Sequence, residues 1–291
     1  MGRNDRPEHS APPEVFYNDD EARKYTENTR MVDIQTRLTA RALELLALPQ
    51  DRAPRMLLDL GCGSGLSGQT LTEHGHIWLG LDISSAMLSV AQERELEGDL
   101  LLGDLGHGVP VRSGTFDGAV SISAIQWLCN ADRSSHDPRR RMRRFFETLY
   151  RCLARGARAV LQMYPEDAAQ ASMLTNAAMK VGFSGGLVVD YPHSTRAKKY
   201  FLVLSVGGTP PQAQARGEDG GSGSEDEDME EAGEVSVAQR KSARRRGSRD
   251  QAPFKKSRAW IMRKKEHQRL KGGAVIRPDT KYTGRKRKSY F

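Results

Sequence analysis

Cysteine is scarce in this 291-residue chain: Cys62, Cys129 and Cys152 form an odd set with no CxxC pair among them. That excludes a disulfide framework, gives no zinc-knuckle spacing or metal set, and fits a reducing compartment. Long apolar runs are missing too. No stretch of 18 apolar residues is present to span a bilayer, and Met1 to Pro13 is too polar for a secretory leader, so no membrane association is expected. Each sign of charge is absent where the other gathers. Nine acids lie between Glu218 and Glu234 without a base among them, whereas 236–291 hold 20 Lys and Arg against 3 acids. The first 206 residues are balanced, with 24 Lys and Arg against 25 Asp and Glu. The distribution divides the chain into a near-neutral folded part, an acidic linker over 207–235 and a basic tail over 236–291, whose excess of cations outweighs the linker and leaves the whole chain at +8.

What is there reads as an α/β domain over 21–206. Before it, an N-terminal arm spans 1–20: its first dozen residues are expected to be disordered, and Pro12-Pro13-Glu14-Val15-Phe16-Tyr17 is a stiff segment, either a clasp on the core or a lid over a ligand. Met31, Ile34, Leu38, Ala42, Leu45 and Leu46 recur every three or four residues and predict a helix ended at Pro49. From Met56 onward, short apolar runs alternate with helical patterns, the signature of a parallel sheet covered on both faces. Strands are expected at 56–60, 76–81, 99–103, 118–122, 157–164, 187–190 and 200–206. Helices are expected from Ser84, from Asp137-Pro138 up to Gly156, and over 168–181. The last two strands are joined by nine residues, too few for a crossover helix, so they should pair antiparallel.

Leu57-Leu58-Asp59-Leu60-Gly61-Cys62-Gly63-Ser64-Gly65-Leu66-Ser67-Gly68 is a strand that breaks into a glycine turn and feeds a helix. Dinucleotides and S-adenosylmethionine both use such a turn, because a Cβ would keep the ligand from the backbone. The match of residues 63–68 to G-x-G-x-x-G does not separate them. The acids do more. Asp59 is awkward beside a pyrophosphate and favourable beside an ammonium and a sulfonium. Asp82 closes the second strand, where an acid accepts from ribose hydroxyls, and Asp104 closes the third, suited to an adenine edge.

Asp59-Leu60-Gly61-Cys62-Gly63-Ser64-Gly65, Gly80-Leu81-Asp82-Ile83-Ser84 and Phe116-Asp117-Gly118-Ala119-Val120 resemble the successive motifs of class I S-adenosylmethionine-dependent methyltransferases, a Rossmann-like fold. More narrowly, residues 12–17, 121–130 and the ending Arg277-Pro278-Asp279-Thr280-Lys281-Tyr282-Thr283-Gly284-Arg285-Lys286-Arg287-Lys288 resemble the eukaryotic small-subunit ribosomal RNA guanine-N7 methyltransferases. The resemblance implies a seven-stranded, mostly parallel sheet of order 3-2-1-4-5-7-6 with an antiparallel last strand. It implies S-adenosylmethionine as cofactor. Gly61, Gly63 and Gly65 would then bring backbone to its methionine moiety, Asp82 and Ile83 would hold the ribose, Asp104 and Leu105 would read the adenine, and Ser121 and Ile122 would line the site. Small-subunit rRNA in a pre-ribosomal particle is the implied substrate, and a small zinc-binding activator protein the implied partner. The edge strand Asp99–Gly103, apolar through Leu100-Leu101-Leu102, is the expected route of its pairing.

Amino-group methyltransferases of this fold commonly place Asn or Asp, Pro-Pro and an aromatic after strand four, where this chain has Ile122-Ser123-Ala124-Ile125. Carbon-5 methylation needs a thiolate, and Cys129 has no basic neighbour except Arg133, so it reads as structural. Guanine N7 needs no general base, and its methylation is a matter of orientation. Trp127 and Tyr17 are candidates to stack on an extruded base, with a core position the other reading of Trp127. Arg139, Arg140, Arg141, Arg143 and Arg144 mark either an RNA face or a solvated surface. In the tail, Phe254, Trp260, Tyr282, Tyr290 and Phe291 lie among cations suited to RNA, and Arg285–Lys288 predicts import into the nucleus, with nucleoplasm and nucleolus the expected sites and the cytoplasm a further one. Two alternatives stand beside the enzyme on rRNA: a small-molecule methyltransferase, and a pre-ribosome assembly factor whose docking outweighs its catalysis.

Overall fold

Seven short apolar segments line up in one sheet of order β3-β2-β1-β4-β5-β7-β6. The computed structural model describes residues 6–134, 136–194, 197–207, 215–216 and 265. The chain forms two units, Met1–Val237 and Ala238–Phe291, and the fold described belongs to the first. Apart from Gly207, Ala215, Arg216 and Lys265, the acidic linker and the basic tail, with its aromatics and its Arg285–Lys288 run, lie outside the described residues.

The strands are β1 (Met56–Leu60), β2 (Ile77–Asp82), β3 (Asp99–Leu102), β4 (Phe116–Ile122), β5 (Leu153–Met163), β6 (Ser184–Asp190) and β7 (Lys199–Ser205). β1 to β5 pair in parallel, and β7 runs antiparallel to both β5 and β6. The helices are α1 (Pro7–Ser10), α2 (Pro13–Phe16), α3 (Asp19–Glu27), α4 (Thr29–Leu46), α5 (Leu66–Glu73), α6 (Ser85–Glu93), α7 (Pro138–Cys152) and α8 (Ala168–Val181).

Successive β1 residues serve opposite faces. Leu57 packs with Leu38, Ala42 and Leu45 of α4, while Leu58 and Leu60 pack with Phe145, Phe146 and Leu149 of α7. This two-sided burial is why the strands read as unbroken apolar runs. Each fully buried Leu or Phe contributes about 1.5–3 kcal/mol. Among the described residues no helix is long and apolar enough to cross a membrane.

Three expectations shift. α7 ends at Cys152 rather than Gly156, because Leu153 already pairs with Phe116 and the chain turns straight into β5. β6 begins at Ser184 rather than Leu187, since the Gly185-Gly186 pair is registered against Leu204 and Val203. The arm is the largest correction: residues 6–12 are placed rather than disordered, because their polar groups bond the fold. Arg6 donates to the carbonyls of Tyr164 (2.9 Å) and Pro165 (3.3 Å), and Asn130 Nδ2 donates to the Glu8 carbonyl at 3.3 Å.

Candidate functional site

Gly61 and Gly63 have φ of +76° and +54°, the left-handed region that bends β1 away from the sheet before α5 begins. A Cβ on Gly61 would overlap that of Ala124, so the turn after β1 lies directly against the segment after β4. A Cβ on Gly63 would meet nothing nearer than Met87, at 3.9 Å, which leaves open space beside its backbone.

Asp82, at the end of β2, fastens this turn. Its Oδ2 accepts from Gly63 N and its Oδ1 from Ser84 N, both at 2.8 Å. Burial raises its pKa above the ordinary carboxylate value, against the pull of those backbone donors. Each oxygen keeps a second lone pair, which is what two ribose hydroxyls require.

Asp59 does not face the cleft as the sequence suggests; it is 0% exposed and lies beneath the turn. Its Oδ2 accepts from Ser67 Oγ at 2.6 Å, which ties β1 to the first turn of α5. Oδ1 is buried with no hydrogen-bond partner among the described residues. Burial above all, with the Asp82 charge adding, pushes its pKa up to about 7, although the Ser67 bond opposes this. An orphaned carboxylate oxygen under an open glycine cradle fits a cationic methionine moiety.

Asp104, after β3, caps the 3-10 helix Leu105–His107 through Gly106 N at 2.7 Å. Both of its oxygens also accept from Arg141 Nη2, at 2.8 and 3.0 Å. Arg141 is 8% exposed and reaches toward Asp132 at 3.6 Å. It therefore leaves the cationic surface group and becomes an internal strut between α7 and the loop after β3. Helical spacing would have turned Arg141 toward Phe145 and the core; the run of arginines hid that. A cleft of about 1050 Å³ includes Ile83 and Asp104 in its lining and continues along Arg140 and Arg144.

Leu105 is buried in the core. The Ser121 hydroxyl donates to the Leu60 carbonyl at 2.6 Å, and Ile122 packs with Val120 and Phe201. As placed, these two support the ends of β1 and β4.

Beyond β4, Ser123 is held at φ +58°, uncommon for a residue with a Cβ. Its N and Oγ both donate to Gln162 Oε1, at 2.9 and 2.8 Å. Gln162 is fully buried in β5, and a lone amide in the apolar run Ala159-Val160-Leu161-Gln162-Met163 was a signal the sequence offered. Gln126 follows in the 3-10 helix Ile125–Cys129 and bonds Glu8 of the arm, a pairing no local pattern announces. Trp127 is 8% exposed, with its ring 6.2 Å from Phe16 and 6.0 Å from Tyr17. Pro12–Tyr17 is thus a clasp, closed over the carboxyl edge of the sheet, where Ser84 Oγ donates to the Tyr17 carbonyl at 2.7 Å.

The thiols near the site favour their neutral form. Burial first, and Asp167 second, push the Cys129 thiol up to about 12, and burial holds Cys62 well above its ordinary value. Among the described residues no group of three His, Cys, Asp or Glu is arranged to hold a metal ion.

A family model described as a methyltransferase domain matches residues 58–161, and one described as a methyltransferase involved in Williams-Beuren syndrome matches 204–289. The chain is 58% identical over 289 residues to an 18S rRNA (guanine-N(7))-methyltransferase of Arabidopsis thaliana, covering 98% of this chain and 99% of that one. It is 53% identical to a mouse (Mus musculus) protein of the same name, over 99% of each. Among solved structures it is similar in fold to phosphoethanolamine N-methyltransferase 2 of Haemonchus contortus, bound to S-adenosylhomocysteine. That match has a TM-score of 0.51 at 15% identity and covers 72% of this chain and 62% of that one.

Proposed function

The chain belongs to the 18S rRNA (guanine-N(7))-methyltransferase family, and on that premise we propose that it methylates N7 of a guanine in small-subunit rRNA, paired with a small zinc-binding activator protein. The observation that carries the cofactor reading is the glycine turn fastened by Asp82 beside the acids of β1 and β3. S-adenosylmethionine, when bound, supplies an electrophilic sulfonium methyl group. The backbone of Gly61, Gly63 and Gly65 would cradle its methionine end, Asp82 would take the ribose hydroxyls, and Asp104, steadied by Arg141, would face the adenine beside Ile83. Guanine N7 brings an unshared pair and no proton, so the absence of a poised base or thiolate after β4 is consistent with transfer by positioning alone. Arg140 and Arg144 make no side-chain ion pair among the described residues, and Arg140, in the first turn of α7, also opposes the helix dipole, so phosphates of the rRNA would suit both.

Mapping N7-methylguanine by borohydride and aniline cleavage tests the reading. The expected result is one cleavage in small-subunit rRNA that disappears from cells lacking this protein; an unchanged map would overturn it.

The partner reading rests on the edge of the sheet. Among the described residues β3 pairs only with β2, and Leu102 is 59% exposed on it. An open apolar edge is an invitation to strand addition. Leu100 packs on the core, so Leu102→Asp is the cleaner test. The expected outcome is that the variant folds with its native melting temperature but no longer copurifies with the activator; retained copurification would remove the edge from the account. The basic run Arg285–Lys288 supports nuclear import, with nucleolar residence following from the substrate.

A further inference from the structure

The N-terminal arm is held across the carboxyl edge of the sheet. Arg6 pins it to the end of β5 and Ser84 pins it beside Asp82. Between these pins Glu8 meets Gln126. Gln126 is 4% exposed, and its Nε2 donates to Glu8 Oε1 at 3.1 Å and to the Ser123 carbonyl at 2.8 Å. With both amide hydrogens committed to acceptors, the orientation of the amide is fixed. Its Oε1 is then an acceptor, buried without a hydrogen-bond partner among the described residues. Such a group is destabilising unless something donates to it.

The surroundings indicate what donates. The rings of Phe16, Tyr17 and Trp127, the last next to Gln126 in sequence, lie within 6.2 Å of one another, and Tyr25 is 6.0 Å from Tyr17. Burial raises the Tyr17 pKa, and the nearby charges of Glu8 and Asp82 raise it further. Two acceptors beside an aromatic wall suit a planar base that presents donors on one edge.

We propose that Glu8 and Gln126 read the Watson–Crick edge of the acceptor guanine, the Glu8 carboxylate and Gln126 Oε1 accepting from its N1–H and its N2 amino group. This rests on the guanine reading given above. The Gln126 amide now donates to Glu8, so it occupies the place the base's own donors take when the arm admits it. N1 and N2 lie across the purine from N7, so an edge held by these acceptors leaves N7 free to face the methyl donor. Adenine offers a lone pair at N1 in place of N1–H and leaves a carboxylate unpaired, a mismatch that polar sites reject strongly. Glu8 and Gln126 are in this account specificity residues that touch the substrate.

Equilibrium dialysis of 5′-GMP, 5′-IMP and 5′-AMP against the full chain saturated with S-adenosylhomocysteine tests the proposal. The expected order is GMP tighter than IMP by about 10-fold, for the missing amino group, and tighter than AMP by about 100-fold. In Glu8→Gln, GMP should fall to within about threefold of AMP, with homocysteine-nucleoside affinity and melting temperature unchanged. Arg6→Ala, which loosens the arm that carries Glu8 but leaves both acceptors in place, should narrow the preference for GMP over AMP by less than Glu8→Gln does. A native preference retained in Glu8→Gln, an equal loss of all three in that variant, or no preference in the native chain would each overturn the proposal. If the N7 map depends on the protein while Glu8→Gln keeps its preference, this inference fails and the function stands.

Discussion

Replacing Asp82 with alanine is expected to weaken S-adenosylmethionine binding by at least about 100-fold and to erase the N7 mark. The carboxylate bonds Gly63 N and Ser84 N, so its loss frees the turn that cradles the ligand as well as the acceptors for the ribose. Two charge-assisted hydrogen bonds of about 1.5 kcal/mol each amount to that factor of 100. Asparagine should do little better, because an amide has one acceptor oxygen and sets its NH₂ against one of the two backbone N–H groups. Calorimetric titration with S-adenosylhomocysteine measures the effect, and an affinity within threefold of the native protein would refute the role. A variant that loses the mark while small subunits still mature would support a separate docking role for the chain.

The second large effect is on stability, at Gly61. Alanine there must adopt φ +76° and push against Ala124, whose neighbour Ser123 is itself held at φ +58°. The left-handed backbone costs about 1–2 kcal/mol and the overlap about 1–3 more. A loss of roughly 3 kcal/mol lowers the melting temperature of a domain of this size by about 10 °C. Gly114 is the control, since it has φ +65° but nothing within 4 Å of a built Cβ. Gly114→Ala should show the backbone part alone, about 1–2 kcal/mol. Equal losses in thermal denaturation would mean that the close approach of the turn to the segment after β4 contributes nothing.

Much of the arrangement was legible because it is local. β1 ends at Leu60 as the apolar run does, α8 ends where Gly182 takes φ +113°, and the short link after β6 forces an antiparallel β7. The acids at the carboxyl ends of β1, β2 and β3 could be named for the same reason: each lies within two residues of the end of its strand. Their surroundings could not. Asp59 sinks beneath the turn because the glycines bring Ser67, eight residues on at the start of α5, back to meet it.

Side-chain periodicity and turn chemistry act over a few residues, which is enough to place the strands and main helices in order and the glycine turn with its three acids. Only the tertiary structure decided which polar groups meet. Arg141 reaches Asp104 across 37 positions and Glu8 reaches Gln126 across 118, and such contacts leave no periodic trace in the chain. The glycine turn that the sequence announced stands on one side of the carboxyl edge, between β1 and α5. The arm, which the sequence read as largely disordered, closes the other side, because burial of Trp127 against Phe16 and Tyr17 and the carbonyls after β5 give its residues partners that no neighbour in sequence provides.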